Sequence, residues 1–130
     1  MNVFSKAMDT AASGLRAQGF RLRVVSENIA NTDTPGYRRK TVSFDNTHNR
    51  ATNTNTVSIG RVSFADAPFE KIYDPAHPMA DADGNVEMSN VNLMIEMADG
   101  REAHRSYEAN LASFKQARQM YSGLLELLKR

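Results

Sequence analysis

Apolar positions near the start of the chain return in alternating steps of four and three. Phe4, Met8, Ala11, Leu15, Gln18, Leu22, Val25 and Ile29 fall on one line, with Gln18 its single polar member. That is a heptad seam over almost four repeats, and it predicts one amphipathic helix across residues 3–30. At a rise of roughly 1.5 Å per residue the helix spans about 40 Å. Ala7, Ala12, Ser13, Gly14, Ala17 and Gly19 crowd beside the seam. Such small residues let a neighbouring helix approach closely, at some cost in helix propensity. The plain reading is a core-facing helix; the competing one is a helix that packs into an oligomer. The same stepping returns at the far end, through Leu93, Met97, Gly100, His104, Tyr107, Leu111, Phe114, Arg118, Tyr121, Leu125 and Leu128. Met94, Ala103, Ala117 and Leu124 broaden this second face enough to touch two neighbours. A helix over residues 90–130 would reach about 60 Å, with Ser89 or Asn90 as its N-cap.

Between the two periodic segments the pattern breaks. Asn28 and Asn31 crowd the end of the first, where their side chains compete for backbone hydrogen bonds and favour exit from a helix. Pro35 cannot donate to a helix ladder and pushes Thr34 toward extended geometry. Pro35-Gly36 is a turn signal, with proline at i+1 and glycine at i+2. Tyr37 follows, then Arg38, Arg39 and Lys40, three charges expected to be solvated. Residues 45–56 are polar without periodicity and are expected to form a loop, because they offer too little apolar surface to offset ordering. Val57/Ile59 and Val62/Phe64 alternate, with Gly60 at the phase slip where a bulge fits. Phe69–Tyr73 and Val86–Met88 are further short strands. Asp74-Pro75-Ala-His-Pro78 ends the first of these, and Asp81–Asn85 is a turn. The expected fold is mainly α with a small β insertion. Residues 1–30 and 91–130 form one discontinuous helical unit, and 31–90 form a linker and a small β-rich module.

Composition narrows the function. The chain has 130 residues, 41% hydrophobic and 24% charged, an ordinary globular balance. Net charge is +1, which favours neither nucleic acid nor a membrane surface. The distribution is uneven: residues 1–40 carry seven Lys/Arg against three acids (+4), residues 41–90 three against seven (−4). There is no cysteine, which removes thiol chemistry, disulfides and thiolate-bound metals. No stretch of 18 apolar residues would cross a membrane, and charges interrupt the N-terminal segment where a cleaved signal needs an apolar run. His48, His77 and His104 lack ligand neighbours at metal-binding spacing. Asp81-Ala-Asp-Gly84 places its glycine at loop position four, where a calcium-binding EF-hand needs it at six. No catalytic constellation emerges, and no cofactor is expected.

Three stretches carry a family resemblance. Glu27-Asn-Ile-Ala-Asn-Thr-Asp-Thr-Pro-Gly-Tyr-Arg38 resembles the N-terminal motif of bacterial flagellar rod, hook and hook-associated proteins. Tyr73-Asp-Pro-Ala-His-Pro-Met-Ala-Asp-Ala-Asp-Gly-Asn-Val86 leads into Asn90-Val-Asn-Leu-Met-Ile-Glu-Met97, and Arg105-Ser-Tyr-Glu-Ala-Asn-Leu111 precedes the Leu-rich end. Together they are similar to the FlgC branch of the rod proteins, with the sister FlgB branch as the alternative and a helical adaptor module as a more distant one. The resemblance implies a structural subunit of the proximal rod, with terminal helices forming a coiled-coil layer that lines a helical tube and a β-containing part outside it. It implies export without a cleaved signal through the flagellar type III apparatus, and a place in the periplasmic part of the basal body. Partners implied are other copies of the chain, the rod proteins FlgB, FlgF and FlgG, and the rod-base adaptor FliE. The residues expected at subunit interfaces are Phe4, Met8, Leu15, Leu22, Val25, Asn28 and Ile29 on the first helix. Asn31, Pro35, Gly36 and Tyr37 follow at the turn, and Tyr107, Asn110, Leu111, Phe114, Tyr121, Leu125 and Leu128 on the last helix.

Overall fold

The computed structural model describes residues 2–130, with six elements in chain order. Helix α1 runs Val3–Ala30, strand β1 Lys40–Asn49 and strand β2 Thr54–Phe64. Strands β3, Lys71–Tyr73, and β4, Asn85–Glu87, are short, and α2, Leu93–Leu128, closes the chain. The fold is the expected one: two long terminal helices with a small antiparallel β segment between them.

Helix α1 starts where Asn2 Oδ1 accepts the Ser5 amide at 2.7 Å, which satisfies one orphan donor of the first turn. It stops at Asn31, whose Nδ2 returns to the Glu27 carbonyl at 2.9 Å, while Thr32 Oγ1 reaches the Ile29 carbonyl at 2.9 Å. Both bonds add a second donor to carbonyls of the last turn, which also accept the Asn31 and Thr32 amides. The N-cap of α2 is Asn92, whose Oδ1 accepts from Met94 and Ile95, and not Ser89 or Asn90 as the sequence suggested. Those two residues are taken by other partners, described below.

The helices pair antiparallel, and the pairing has a clear register. Phe4 lies against Tyr121 with ring centroids 6.2 Å apart. Further along, Gly14 meets Asn110, Gly19 meets Tyr107, Gly100 meets Val25 and Asn28 meets Glu96. Small residues are prominent among the buried ones: Ala11, Ser13, Gly14 and Ala17 from α1, with Ser13 and Ala17 toward the β hairpin, and Ala103 and Ala117 from α2. A methyl added to Gly14 would sit 2.6 Å from Asn110 Oδ1, so the two backbones pass as closely as the missing side chain allows. The register also fixes where the pairing ends. Val3 stands level with about Ser122, so Gly123–Leu128 run past the start of α1.

Residues 45–56 are not a loop. They form the distal halves of β1 and β2 and the turn between them. The tract carries little apolar surface, but it closes its polar groups on itself. Thr47 and Ser58 hydroxyls lie 3.0 Å apart across the strands, and His48 Nδ1 and Asn55 Oδ1 2.7 Å apart. Asn49 Oδ1 accepts the Ala51 amide at 3.0 Å, and Asn53 takes φ 50, a left-handed value that asparagine tolerates. Helix α1 holds the hairpin from below: Thr10 Oγ1 donates to the Asn55 carbonyl at 2.9 Å, and the Val57 amide donates to Ser13 Oγ at 3.0 Å.

The bulge expected at Gly60 is present. The pairing shifts between Val42↔Val62 and Phe44↔Ile59, so Ser43 opposes both Gly60 and Arg61. A Cβ at Gly60 would lie 2.7 Å from Ser43 Oγ and from Asp45 Oδ2, which explains the glycine. Strands β3 and β4 pair through Ile72↔Val86, and Val86 is 2% exposed. The turn before β4 is built on Asp81, whose Oδ1 accepts the Asp83 and Asn85 amides at 2.9 Å, with Gly84 at φ 79.

Candidate functional site

The residues between α1 and β1 form a knot that ties the helix pair to the β segment. Tyr37 donates its backbone amide to the Thr34 carbonyl at 3.2 Å, and Gly36 sits at φ 72. That is a type II turn with Pro35 and Gly36 in the places the sequence assigned them. The Gly36 amide in turn donates to the Glu87 carbonyl at 3.0 Å, which hooks the turn onto β4. Ser89 Oγ donates to the Thr32 carbonyl. Asn90 Oδ1 accepts the Arg39 amide at 2.6 Å while its Nδ2 donates to the carbonyls of Ala65 and Ala67, each at 3.0 Å. Ser89 and Asn90 therefore brace the knot rather than cap α2.

At its centre sits Asn28, 1% exposed. Its Oδ1 accepts from Tyr37 Oη at 3.0 Å and from the Lys40 amide at 2.9 Å. Its Nδ2 donates to the Lys40 carbonyl at 2.9 Å and to Glu96 Oε2 at 3.2 Å. One side chain thus fixes the first residue of β1 through both backbone groups. Glu96 is fully buried on α2, and its other oxygen is paired with Arg39 Nε. Arg39 Nη2 also holds Asp99 Oδ2 at 2.9 Å, and Arg21 approaches Asp99 Oδ1 at 3.4 Å. Lys40 Nζ pairs with Glu27. Burial is the chief reason the Tyr37 phenol is pushed above its ordinary value of 10.0, with the Glu27 charge adding to it. The hydrogen bond to Glu27 holds the Lys40 ammonium above 10.5.

The basic run is therefore not simply solvated. Arg39 and Lys40 are ion-paired, and Arg38 lies over the Phe69 ring, 5.6 Å from its centroid. No local pattern in the sequence marks Arg21, Arg39, Lys40, Asp99, Ser89 and Asn90 as members of one site, and Glu96 stands out only inside a motif.

The seam residues named from the sequence divide into three groups. Val25 and Asn28 are buried. Phe4, Met8, Leu15, Leu22, Asn31, Pro35, Tyr37, Tyr107, Asn110, Leu111, Phe114 and Tyr121 are half-buried. Ile29, Gly36, Leu125 and Leu128 are exposed. Exposed large apolar side chains are numerous for a chain this size, and they cluster. Leu93, Met94, Ile95 and Met97 stand out from the first turns of α2, and Met120, Leu124, Leu125, Leu127 and Leu128 from its last. Val57, Ile59, Val62 and Phe64 line β2. Patches of this extent mark interaction surfaces rather than chance exposure. Among the described residues no cluster of metal-ligating side chains occurs, and no helix is long and apolar enough to cross a membrane.

Comparison with known proteins agrees with this geometry. The family described as "Flagella basal body rod protein" matches residues 8–38, and "Flagellar basal body rod FlgEFG protein C-terminal" matches residues 82–127. The two matches take in most of both helices and the knot. The chain is 46% identical to a flagellar basal-body rod protein FlgC of Agrobacterium fabrum, over 99% of this chain and 98% of the relative. It is 35% identical to that of Salmonella typhimurium, over 98% and 96%, and 32% identical to that of Bacillus subtilis, over 95% and 97%.

Proposed function

Because the chain belongs to the FlgC family of flagellar basal-body rod proteins, we propose that it is a structural subunit of the rod whose work is done by its interfaces. The observation that supports this reading is a helix pair with small residues among its buried positions and many larger apolar side chains, at both ends of α2 above all, left exposed. In this reading the two helices form the inner layer of the assembly, and the segment 31–90 forms the outer part. Phe4, Met8, Leu15, Leu22 and Ile29 then serve contacts with neighbours, together with Leu111, Phe114, Leu125 and Leu128. Different surfaces meet on successive subunits, and such heterologous contacts build open helical assemblies.

Torque transmission asks that the outer part not slip against the inner. The Asn28–Glu96–Arg39 knot supplies that stiffness, because it fixes β1, the turn and both helices through one set of buried hydrogen bonds. Partners of the axial type (FlgB, FlgF and FlgG, with FliE at the base) present the matching helix pairs, and the type III export apparatus handles the chain only in transit. The place of work is the basal body, in the part of the rod that spans the periplasm.

Replacing the native copy by one lacking residues 1–30 tests the proposal. The expected result is loss of swimming, with basal bodies that stop at the inner-membrane ring. Normal flagella from such cells would remove the rod reading altogether.

A further inference from the structure

Strand β1 has an edge that the rest of the fold leaves open. Its sheet has two strands, and β2 turns its own outer edge to α1, where Thr10 Oγ1 donates to the Asn55 carbonyl and Ser13 Oγ accepts the Val57 amide. Backbone groups alternate in direction along a strand, and residues opposite each other in an antiparallel pair turn the same way. Asn46 stands opposite Val57, and Lys40 exchanges both of its backbone groups with Asn28, so the phase of β1 is fixed at two points. Lys40, Val42, Phe44, Asn46 and His48 therefore turn their amides and carbonyls away from β2. The extra residue of the bulge lies in β2, between Ile59 and Val62, and leaves this phase intact. Among the described residues, only Lys40 has its outward groups bonded within the chain.

The way Lys40 is bonded specifies what the rest of the edge accepts. The Asn28 carboxamide accepts the Lys40 amide and donates to the Lys40 carbonyl, each at 2.9 Å. That two-point exchange is the one made by a single residue of a neighbouring antiparallel strand. A side chain thus stands in for the first rung of a further strand. The next rungs fall at Val42 and Phe44, about 7 Å along the edge from Lys40 to Val42 and again to Phe44. Both residues are half-buried and open on a cleft of about 280 Å³, lined from α1 by Val24 and Val25. Arg21 and Asp99, paired with each other, line it as well.

We propose that an extended segment of a partner protein adds to this edge as an antiparallel strand, taking up the ladder where Asn28 leaves it and pairing with Val42 and Phe44. Residues of that segment opposite Val42 and Phe44 share their face of the sheet, beside Val24 and Val25, and are apolar. The residue between them faces the other way and is polar. The β1 edge of a second copy does not fit, because it is recessed beside its own α1 in the same manner. The contact is separate from the helix packing of the rod reading and does not depend on it.

The probe is acetyl-Thr-Val-Thr-Val-Thr-amide, titrated into the full chain, with amide hydrogen exchange followed residue by residue. In the free chain the Val42 and Phe44 amides should exchange at least about tenfold faster than those of Asp45 and Thr47, which point to β2. Saturating peptide should slow Val42 and Phe44 about tenfold and leave Val57, already held by Ser13, unchanged. The same peptide N-methylated at both valines keeps its apolar side chains but loses the donors, and should protect neither amide. Val42→Pro removes one outward amide at an edge position where proline is tolerated, and should abolish protection of Phe44 by the peptide while Asp45 and Thr47 keep theirs. Phe44→Pro, read at Val42, is the companion variant should Val42→Pro loosen the ribbon. Equal exchange at Val42 and Asp45 in the free chain, no protection by the parent peptide, or equal protection by the N-methylated one overturns the proposal. Protection that grows with the concentration of the chain alone gives the edge to a second copy, and overturns its assignment to a partner segment.

Discussion

Asn28 near the end of α1 and Glu96 near the start of α2 face each other 68 residues apart in sequence, with Nδ2 and Oε2 at 3.2 Å. Both are sealed from solvent, at 1 and 0% exposure. Neither residue type is at ease there alone. A buried amide needs its hydrogen bonds and a buried carboxylate needs a countercharge. The molecule meets both needs by drawing in the backbone of Lys40 and the guanidinium of Arg39, and this brings the helices and the β segment to one point.

Truncating Asn28 should therefore cost more than a surface polar residue. Asn28→Ala leaves both backbone groups of Lys40, the Tyr37 hydroxyl and Glu96 Oε2 without their Asn28 partner, and the expected loss is about 2–4 kcal/mol. Asn28→Asp should be at least as damaging, because it sets a second carboxylate against Glu96 and removes the donor to the Lys40 carbonyl. Urea unfolding of the purified chain reads both. An Asp variant as stable as the wild type would show that the Glu96 contact does not matter.

Breaking the Arg39–Glu96 pair from one side should be worse than removing it from both. Arg39→Met leaves a fully buried carboxylate with only Asn28 to serve it, at an expected loss of about 3–5 kcal/mol. Glu96→Met alone strands the guanidinium less severely, because Asp99 still holds it at 2.9 Å. The double Met variant should be more stable than Arg39→Met alone, by at least about 1 kcal/mol in a double-mutant cycle. Additive losses would place the pair outside the stabilising network.

Alkaline pH should loosen the knot. Tyr37 and Lys40 both have folded values above their ordinary 10.0 and 10.5, so folding favours the protonated form of each. Their contribution is complete below pH 10 and declines as pH rises through the folded values, when Tyr37 becomes a half-buried phenolate near Glu27 and Lys40 loses its charge beside Glu27. A plot of unfolding free energy against pH should fall above pH 10, and the fall should be shallower in Tyr37→Phe and Lys40→Met. An unchanged slope in both variants would assign alkaline sensitivity to other groups.

What the sequence made legible was local. The helix periods, the Pro35-Gly36 turn and the Gly60 bulge each follow from a few adjacent residues, and each stands where expected. Features built from distant partners were not legible. Residues 45–56 lack apolar alternation, so only cross-strand pairs such as Thr47 with Ser58 reveal them as strands. Arg39 looks like part of a solvated basic run until Glu96, 57 residues on, is placed beside it. The N-cap of α2 was misplaced by two or three residues because Ser89, Asn90 and Asn92 are all competent caps, and tertiary demands decided among them. The seam was misjudged in a more instructive way. Large residues mark the periodicity, but the helices come closest at Gly14 against Asn110, the buried apolar residues of α2 are Ala103 and Ala117, and much of the larger apolar surface stays outside.

That division gives glycine opposite values at two points of the helix pair. At Gly14 a methyl would press on Asn110 Oδ1 at 2.6 Å, and Asn110 is tethered by its Nδ2 to the Ser106 carbonyl at 2.9 Å. Gly14→Ala should push the helices apart and destabilise by about 1–3 kcal/mol despite the better helix propensity of alanine. Gly123, in the overhang, meets no neighbouring side chain or other element within 4 Å of an added methyl among the described residues, so Gly123→Ala should stabilise the helical tip by up to about 1 kcal/mol. Urea melts and amide hydrogen exchange across residues 118–128 measure the two effects. If Gly14→Ala were neutral, the close approach of α1 and α2 would not be a constraint on the fold. If Gly123→Ala failed to slow exchange at the tip, the last two turns would already be held by something other than their own helical bonds.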